Sequence, residues 1–111
     1  MPSKATKSSP FVIFSTASSK KEAEKLAALL IRTRAAACVN VLGPMTSFFR
    51  WKGKIDRARE ALLVIKTDFS KFRTVKKLIA AHHSYEVPEV IGWRIDAASK
   101  SYLSWLSESV R

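Results

Sequence analysis

Two kinds of apolar pattern alternate along this chain, and their order leaves few folds open. Short runs rich in β-branched and aromatic residues are typical of strands, and they cover residues 11–14, 36–51, 54–67 and 90–95. Apolar residues at helical spacing cover about 19–33, 72–83 and 99–110. The sequence therefore predicts the order strand, helix, strand, strand, helix, strand, followed by one terminal helix.

Three local signals mark where these elements begin, bend and turn. Ser19 and Glu22 match a capping box, in which both side chains satisfy free backbone amides at the start of a helix. Gly43-Pro44 interrupts the second strand pattern and predicts a bend or bulge, because proline cannot donate to a strand ladder. Lys52-Gly53 predicts a two-residue hairpin turn with a positive φ at the glycine.

This order of elements is that of the ferredoxin-like βαββαβ fold, an α+β sandwich with helices on one face of an antiparallel sheet. With 111 residues, the chain is expected to form one such domain over 10–111, preceded by a disordered basic tail over 1–9. Two helices cover only one face of the sheet. The exposed face and the long hairpin therefore predict that the protein associates with itself.

The net charge and the single cysteine limit which partners and which cellular compartment can be expected. Twenty basic residues against 9 acidic ones give a net charge of +11, which serves either solubility or an anionic partner. The single cysteine allows no disulfide within the chain, and neither a secretion signal nor a span of about 20 apolar residues is present. These observations predict a cytoplasmic protein without a membrane partner.

Residues 82–90 gather two histidines, a tyrosine and two glutamates around Pro88. Neutral imidazole suits copper and zinc, so His82 and His83 are candidate metal ligands. Adjacent helical residues point about 100° apart, so both reach one ion only if the helix has already unwound. The alternative is that the pair, when protonated, stabilises the negative C-terminal end of the preceding helix.

A second set of residues forms a candidate ligand cleft between subunits. Carboxylate oxygens can bind a divalent ion or form the polar wall of such a cleft, and a tyrosine can donate a hydrogen bond there. The alternatives are ion pairing for the carboxylates and lysine, and core packing for the cysteine and the tyrosine ring. The candidates are Cys38, Glu60, Lys66, Tyr85, Glu86 and Glu89.

Trp51 stands apart from this cleft, near the tip of the predicted hairpin. An indole ring is too apolar to be left in water without a partner. We therefore expect Trp51 to anchor an interface between subunits.

Five motifs occur together in the order and spacing of one known family. Through them the chain resembles the CutA family of divalent-cation-tolerance proteins over about 11–110. The resemblance implies a compact homotrimer of ferredoxin-like subunits with hairpin strands paired across subunit boundaries. It also implies a role in tolerance of copper and other divalent metals, with no established catalytic reaction. The motifs are residues 36–40, residues 51–55, Glu60 with residues 65–67, residues 82–90 and residues 102–105.

The resemblance also bears on copper as a candidate cofactor. In family members proposed to bind copper, the paired histidines are implicated with a cysteine at the end of the first strand. His82 and His83 match the pair, but Ser15 stands at the position of that cysteine. This chain therefore lacks one soft ligand that copper favours.

Three functions are compatible with these observations. The first is a trimeric, non-catalytic protein of divalent-metal tolerance that binds a metal or small ligand in clefts between subunits. The second is a basic nucleic-acid-binding module, since RNA-recognition domains share this element order and stack bases on sheet aromatics. The third is a scaffolding trimer whose partner is another protein. The sequence contains no P-loop, no glycine-rich dinucleotide turn and no CxxC pair, so the usual cofactors lack support.

Overall fold

The computed structural model describes residues 9–111, and its helices and strands follow the predicted order. They are β1 (Pro10–Ala17), α1 (Lys20–Arg32), β2 (Cys38–Trp51), β3 (Lys54–Asp68), a 3-10 turn (Phe69–Lys71), α2 (Phe72–His82), β4 (Ile91–Arg94) and α3 (Lys100–Ser109). The strands lie side by side as β2-β3-β1-β4, and every neighbouring pair is antiparallel. The predicted α+β ferredoxin-like fold is confirmed.

The predicted tail falls almost entirely on residues 1–8, which lie outside the described residues. Ser9 is described, and its backbone N–H donates to Asp68 Oδ1 at 2.6 Å. The carbonyl of Ser9 accepts from Phe69 N–H at 2.8 Å. The start of the described chain is thus joined to the end of β3.

The core lies between one face of the sheet and the apolar sides of α1 and α2. Alternate residues of β1 and β3 point into it, because successive side chains of a strand face opposite sides. Each large aliphatic side chain buried there contributes roughly 1.5–3 kcal/mol relative to exposure. The fully or almost fully buried members include Ile13, Leu63 and Ile65 of the sheet, Leu26 and Leu30 of α1, and Val75 and Ile79 of α2.

Of the two core helices, α1 begins as predicted, whereas α2 ends earlier than predicted. At the start of α1 the hydroxyl of Ser19 accepts from Glu22 N–H at 3.0 Å. α2 ends one residue earlier than expected, because His83 has extended backbone angles and leaves the helix. Within residues 9–111, none of the helices has the length and apolarity required to cross a membrane.

The hairpin of β2 and β3 turns as predicted. Lys52 and Gly53 both have positive φ, at 50° and 81°, which is the pattern of a type I′ turn. The pairing register shifts between Leu42 and Met45, where Gly43-Pro44 interrupts the ladder. A side chain at position 43 would meet the backbone of Glu60 and Ala61 at 3.1 Å, so glycine is required there.

The opposite face of the sheet is mostly open and apolar. The strand register places Phe14 opposite Val64 and Ile91, and Leu42 opposite Leu62, all on this face. The terminal helix α3 contacts β1 and β3 and buries Leu106 completely, so it covers one part of this face. Large apolar side chains stay exposed on the rest of this face and along the hairpin; they include Leu42, Phe48, Phe49, Ile55, Ile91 and Trp93.

Candidate functional site

In the titratable cluster predicted from the sequence, the imidazole of His83 forms a hydrogen bond at each of its two ring nitrogens. Its side chain is 0% exposed. Its Nδ1 accepts the backbone N–H of Tyr85 at 3.0 Å, and its Nε2 lies 2.6 Å from the carbonyl oxygen of Thr16. Since a carbonyl only accepts, Nε2 must carry the proton and the ring is neutral. Both ring nitrogens of His83 are therefore engaged with the backbone.

The carboxylate of Glu22 connects the start of α1 to the loop after α2. One oxygen accepts from the backbone N–H and the hydroxyl of Ser18, both at 2.8 Å, and the other accepts from Ser84 N–H at 2.8 Å. Burial raises the pKa of Glu22, but these hydrogen bonds outweigh burial and lower the pKa to about 2. Glu22 is therefore an anion that keeps this loop against α1. Its Oε2 also lies 3.9 Å from Nδ1 of His83.

The phenol of Tyr85 connects this network to β3. Its hydroxyl donates to Glu60 Oε2 at 2.6 Å, and Glu60 is a buried residue of β3. Burial, this hydrogen bond and the negative charges of Glu60 and Glu22 raise the pKa of Tyr85. The Tyr85 ring also lies against that of His83, with ring centroids 4.7 Å apart. The hydroxyl is therefore a fixed, protonated donor beside a buried carboxylate.

Glu89 and Ser15 complete the same region. The buried hydroxyl of Ser15 donates to the backbone carbonyl of Glu89 at 2.7 Å. Burial raises the pKa of the Glu89 carboxyl, and the negative charge of Glu60 raises it further. Ser15, at the position where the resemblance implies a cysteine, thus helps to hold the loop that leads into β4.

His82 has a different environment from its neighbour. It is exposed, and its Nδ1 lies 3.0 Å from the carbonyl of Leu78, one turn earlier in α2. Nδ1 therefore carries a proton, and Nε2 has no protein partner within residues 9–111. His82 lies at the rim of an open groove of about 700 Å³ beside α1. Of the two histidines, only His82 has a nitrogen free to bind a ligand.

The remaining cleft candidates lie elsewhere on a single subunit. Cys38 is the register partner of Lys66, whose Nζ donates to Asn40 Oδ1 at 2.5 Å. Lys66 is six positions from Glu60 along β3, or about 20 Å at the usual strand rise. Glu86 is exposed on the loop. The structure therefore brings Glu60, Tyr85 and Glu89 together and leaves Cys38 and Lys66 at the other end of the strands.

Trp51 lies at the end of β2, and 42% of it is exposed in one subunit. Lys52 Nζ lies 5.9 Å from the centre of its ring. This location fits an interface anchor, and the interface itself stays a prediction.

The donor set of one subunit does not fit a resident metal ion. Among residues 9–111, no three histidine, cysteine, aspartate or glutamate side chains are grouped so that they could hold one. His83 has no free nitrogen, and Cys38 is far from both histidines along the sheet. A metal site in one subunit is therefore unsupported, whereas a site with ligands from two subunits stays a prediction.

Two residues of the network were missed as site residues by reasoning from the sequence. Glu22 was identified only as a helix cap, yet its carboxylate holds the loop 62 residues later through Ser84. Thr16 takes part through its backbone carbonyl, for which a sequence offers no signal. The capping-box spacing of Glu22 was the one clue available, because a carboxylate at a helix start attracts backbone donors.

Comparison with known proteins agrees with the fold and the motifs. The sequence profile of the family described as CutA1 divalent ion tolerance protein matches residues 11–109. A relative from Archaeoglobus fulgidus, named divalent-cation tolerance protein CutA, is 41% identical over 98 residues, which cover 88% of this chain and 95% of that protein. A relative of the same name from Thermus thermophilus is 37% identical over 98 residues, with the same shares covered.

Solved structures show the same architecture. The crystal structure of CutA1 from Oryza sativa superposes with a TM-score of 0.92 at 36% identity, covering 96% of this chain and 97% of that one. A structure of CutA from Archaeoglobus fulgidus gives a TM-score of 0.89 at 39% identity, covering 92% and 99%. By sequence profile, by identity over most of its length and by fold, the chain belongs to the CutA1 family of divalent ion tolerance proteins.

Proposed function

We propose that this protein acts in divalent-cation tolerance as a non-catalytic homotrimer that binds a metal ion or small polar ligand in clefts between subunits. The names of its relatives indicate the process, divalent-cation tolerance. The observation that supports the rest of the proposal is the open apolar sheet face, together with the hydrogen-bonded pair of Glu60 and Tyr85.

The extent of that apolar surface supports self-association. Leu42 is 52% exposed, Ile91 51% and Trp93 47% in one subunit. Soluble monomers rarely leave a continuous apolar patch of more than a few hundred Å² in water. A second and third copy of the same chain would cover this face.

The strand edges support the same assembly. β2 and β4 are the outer strands of the sheet, and β2 has 14 residues. A long edge strand presents unpaired amides and carbonyls, which attract another strand. The resemblance implies that hairpin strands pair across subunits in this family, and such pairing would satisfy the free edge of β2.

The cleft hypothesis rests on the carboxylates beside the open face. Glu60 and Glu89 are close enough for the charge of one to raise the pKa of the other, and Tyr85 donates to Glu60. A neighbouring subunit that docks on this face would add its own groups to the same place. Cys38 and Lys66, at the other end of the strands, are the candidates for that contribution.

For copper or zinc, His82 is the ligand of the pair that we propose. Its Nε2 is free, whereas His83 would have to give up a backbone hydrogen bond first. One imidazole cannot hold a copper ion alone, so the other ligands must be water or groups from outside this subunit.

Light scattering and calorimetry test the proposal on the full chain. A trimer mass at micromolar concentration supports the assembly, and a stable monomer contradicts it. Titration with Cu(II) and with Zn(II) should show binding that His82→Ala weakens at least tenfold. Lys77→Ala, on the exposed side of the same helix, is the matched control and should leave binding unchanged. Equal binding by His82→Ala and the wild type would remove the histidine from the site.

The other two functions remain alternatives with distinct outcomes. The scaffolding hypothesis predicts a trimer that binds neither metal. The nucleic-acid-binding hypothesis, which we call the sheet-aromatic hypothesis, predicts that RNA bases stack on aromatic side chains of the sheet. The candidates are Phe48, Phe49 and Trp51, which lie on β2 beside basic residues of β3.

The cytoplasm stays the predicted compartment, and the lone free thiol of Cys38 supports it.

A further inference from the structure

The exposed sides of α1 and α2 form a cationic surface that the metal-tolerance proposal does not use. The two helices carry seven lysines and arginines against two glutamates. All seven cations are exposed, and within residues 9–111 none of them lies within 4 Å of a carboxylate. We call this surface the helical face; its cations are Lys20, Lys21, Lys25 and Arg32 of α1, and Arg73, Lys76 and Lys77 of α2.

One of the two glutamates, Glu22, already has both carboxylate oxygens engaged by the protein. The carboxylate of Glu22 accepts three hydrogen bonds from Ser18 and Ser84, so its lone pairs are directed at the protein. Only Glu24 remains as an exposed anion on the two helices. With seven cations against two anions, the helical face carries a net charge of +5.

The groove of about 700 Å³ runs along this face and offers hydrogen-bond donors as well as charge. Its polar lining is Ser18, Ser19, Lys21, Glu22, Lys25, Arg32 and His82. Lys21 and Lys25 are one helical turn apart, so they lie on the same side of α1, about 6 Å from each other. Ammonium and guanidinium groups are the side chains that bind phosphate oxygens.

We infer that the helical face binds the phosphate backbone of double-stranded nucleic acid without regard to sequence. This site lies on the side of the sheet opposite the open apolar face, so it stays accessible whether or not subunits assemble. It also differs from the sheet-aromatic hypothesis, which places nucleic acid on the hairpin.

The chemistry of the face favours duplex over single-stranded nucleic acid. Proteins that bind single strands stack the bases on aromatic side chains. α1 has no aromatic residue, and the one aromatic of α2, Phe72, packs on the core with Lys76 Nζ 6.0 Å from its ring centre. Contacts to the phosphate backbone need only the cations that are present.

An anionic membrane is a poorer fit to the same cations. Helices that bind membranes insert their apolar side among the lipid chains. The apolar sides of α1 and α2 are already in the core through Leu26, Leu30, Val75 and Ile79. Only the charged sides remain, and they cannot insert.

Fluorescence anisotropy with a labelled duplex of about 20 base pairs tests the inference on the full chain. The helical-face variant Lys21→Gln/Lys25→Gln/Arg32→Gln should bind at least tenfold more weakly than the wild type. The slope of log affinity against log salt should become less steep by about 2 to 3, since each lost phosphate contact removes about 0.9.

Two control variants separate the helical face from net charge. Lys52→Gln/Lys54→Gln/Arg57→Gln removes the same charge from the hairpin and should leave affinity and slope unchanged. Lys21→Arg/Lys25→Arg/Arg32→Lys keeps the charge of the face and should retain binding. Light scattering on each variant verifies that its assembly state matches that of the wild type.

Three results would overturn the inference. The first is no anisotropy change for the wild type at 50 mM salt. The second is equal weakening by the helical-face and hairpin variants, because binding would then follow net charge alone. The third is binding to phosphatidylserine vesicles, lost in the helical-face variant, without binding to the duplex. None of these results bears on the metal titrations or on the trimer mass.

Discussion

The phenol oxygen of Tyr85 lies 2.6 Å from a carboxylate oxygen of Glu60, its hydrogen-bond acceptor 25 residues earlier in the chain. This one bond ties the loop after α2 to β3. The same loop is held by His83 to the carbonyl of Thr16 and by Ser84 to Glu22. Three long-range hydrogen bonds thus position the titratable cluster that the sequence singled out.

Removing the Tyr85 hydroxyl should destabilise the protein. Tyr85→Phe leaves the buried carboxylate of Glu60 without its donor, which costs about 1–3 kcal/mol. Urea unfolding at fixed protein concentration measures the loss. In the background Glu60→Leu, which has no acceptor, the same substitution should cost much less. An equal cost in both backgrounds would mean that the hydrogen bond contributes no stability.

The two adjacent histidines should respond very differently to substitution. His83→Leu removes a buried ring that forms hydrogen bonds with the backbone of Thr16 and Tyr85. Because these backbone groups would then be unpaired, the free energy of unfolding should fall by about 2–4 kcal/mol. His82→Leu replaces an exposed side chain and should change stability by no more than about 0.5 kcal/mol. Urea midpoints of the two variants, measured side by side, test this contrast. Similar losses for both variants would contradict the assigned roles.

Glu22 should make stability depend on pH in the acid range. Its pKa in the folded protein, about 2, is below the ordinary value of 4.5, so its contribution is fully present above pH 4.5. That contribution is lost as the pH falls through 4.5 toward 2. Glu22→Gln should therefore cost about 2 kcal/mol at pH 6 and much less near pH 2. Unfolding curves of both proteins between these limits give the comparison, and a pH-independent difference would count against the assignment.

The carboxyl of Glu89 should titrate above its ordinary range. Burial raises its pKa, and so does the negative charge of Glu60. Carbon-detected NMR titration of the side chain should show a raised pKa in the wild type. Glu60→Gln removes the charge and should bring the pKa of Glu89 part of the way down. Asp56→Asn, on the distant hairpin, is the control and should leave the titration unchanged.

A charge on the open sheet face should prevent assembly. Trp93 lies on β4 opposite Val12 and is 47% exposed in one subunit. Trp93→Lys would place an ammonium group in the proposed interface, where it would lose water without gaining a partner. Light scattering should show the subunit mass for this variant at micromolar concentration. Lys77→Glu, on the helical face, should keep the wild-type mass, and a trimer of Trp93→Lys would exclude this face from the interface.

The order of the elements, the Lys52-Gly53 turn, the irregularity at Gly43-Pro44 and the cap at Ser19 could all be predicted from the sequence. Each of these features depends on residues a few positions apart, so periodicity and turn chemistry are sufficient. The family and the cluster at 82–90 were likewise accessible, because both are carried by short motifs.

The use of each residue in the cluster was decided only by the tertiary structure. The two histidines are neighbours in sequence, yet one ring is buried against a carbonyl 67 residues away and the other faces water. Glu60 and Cys38 are both on the hairpin strands, but Cys38 pairs with Lys66, six residues from Glu60 along β3. Hydrogen-bond partners and burial depend on which distant segments pack together, and that information is absent from any local pattern.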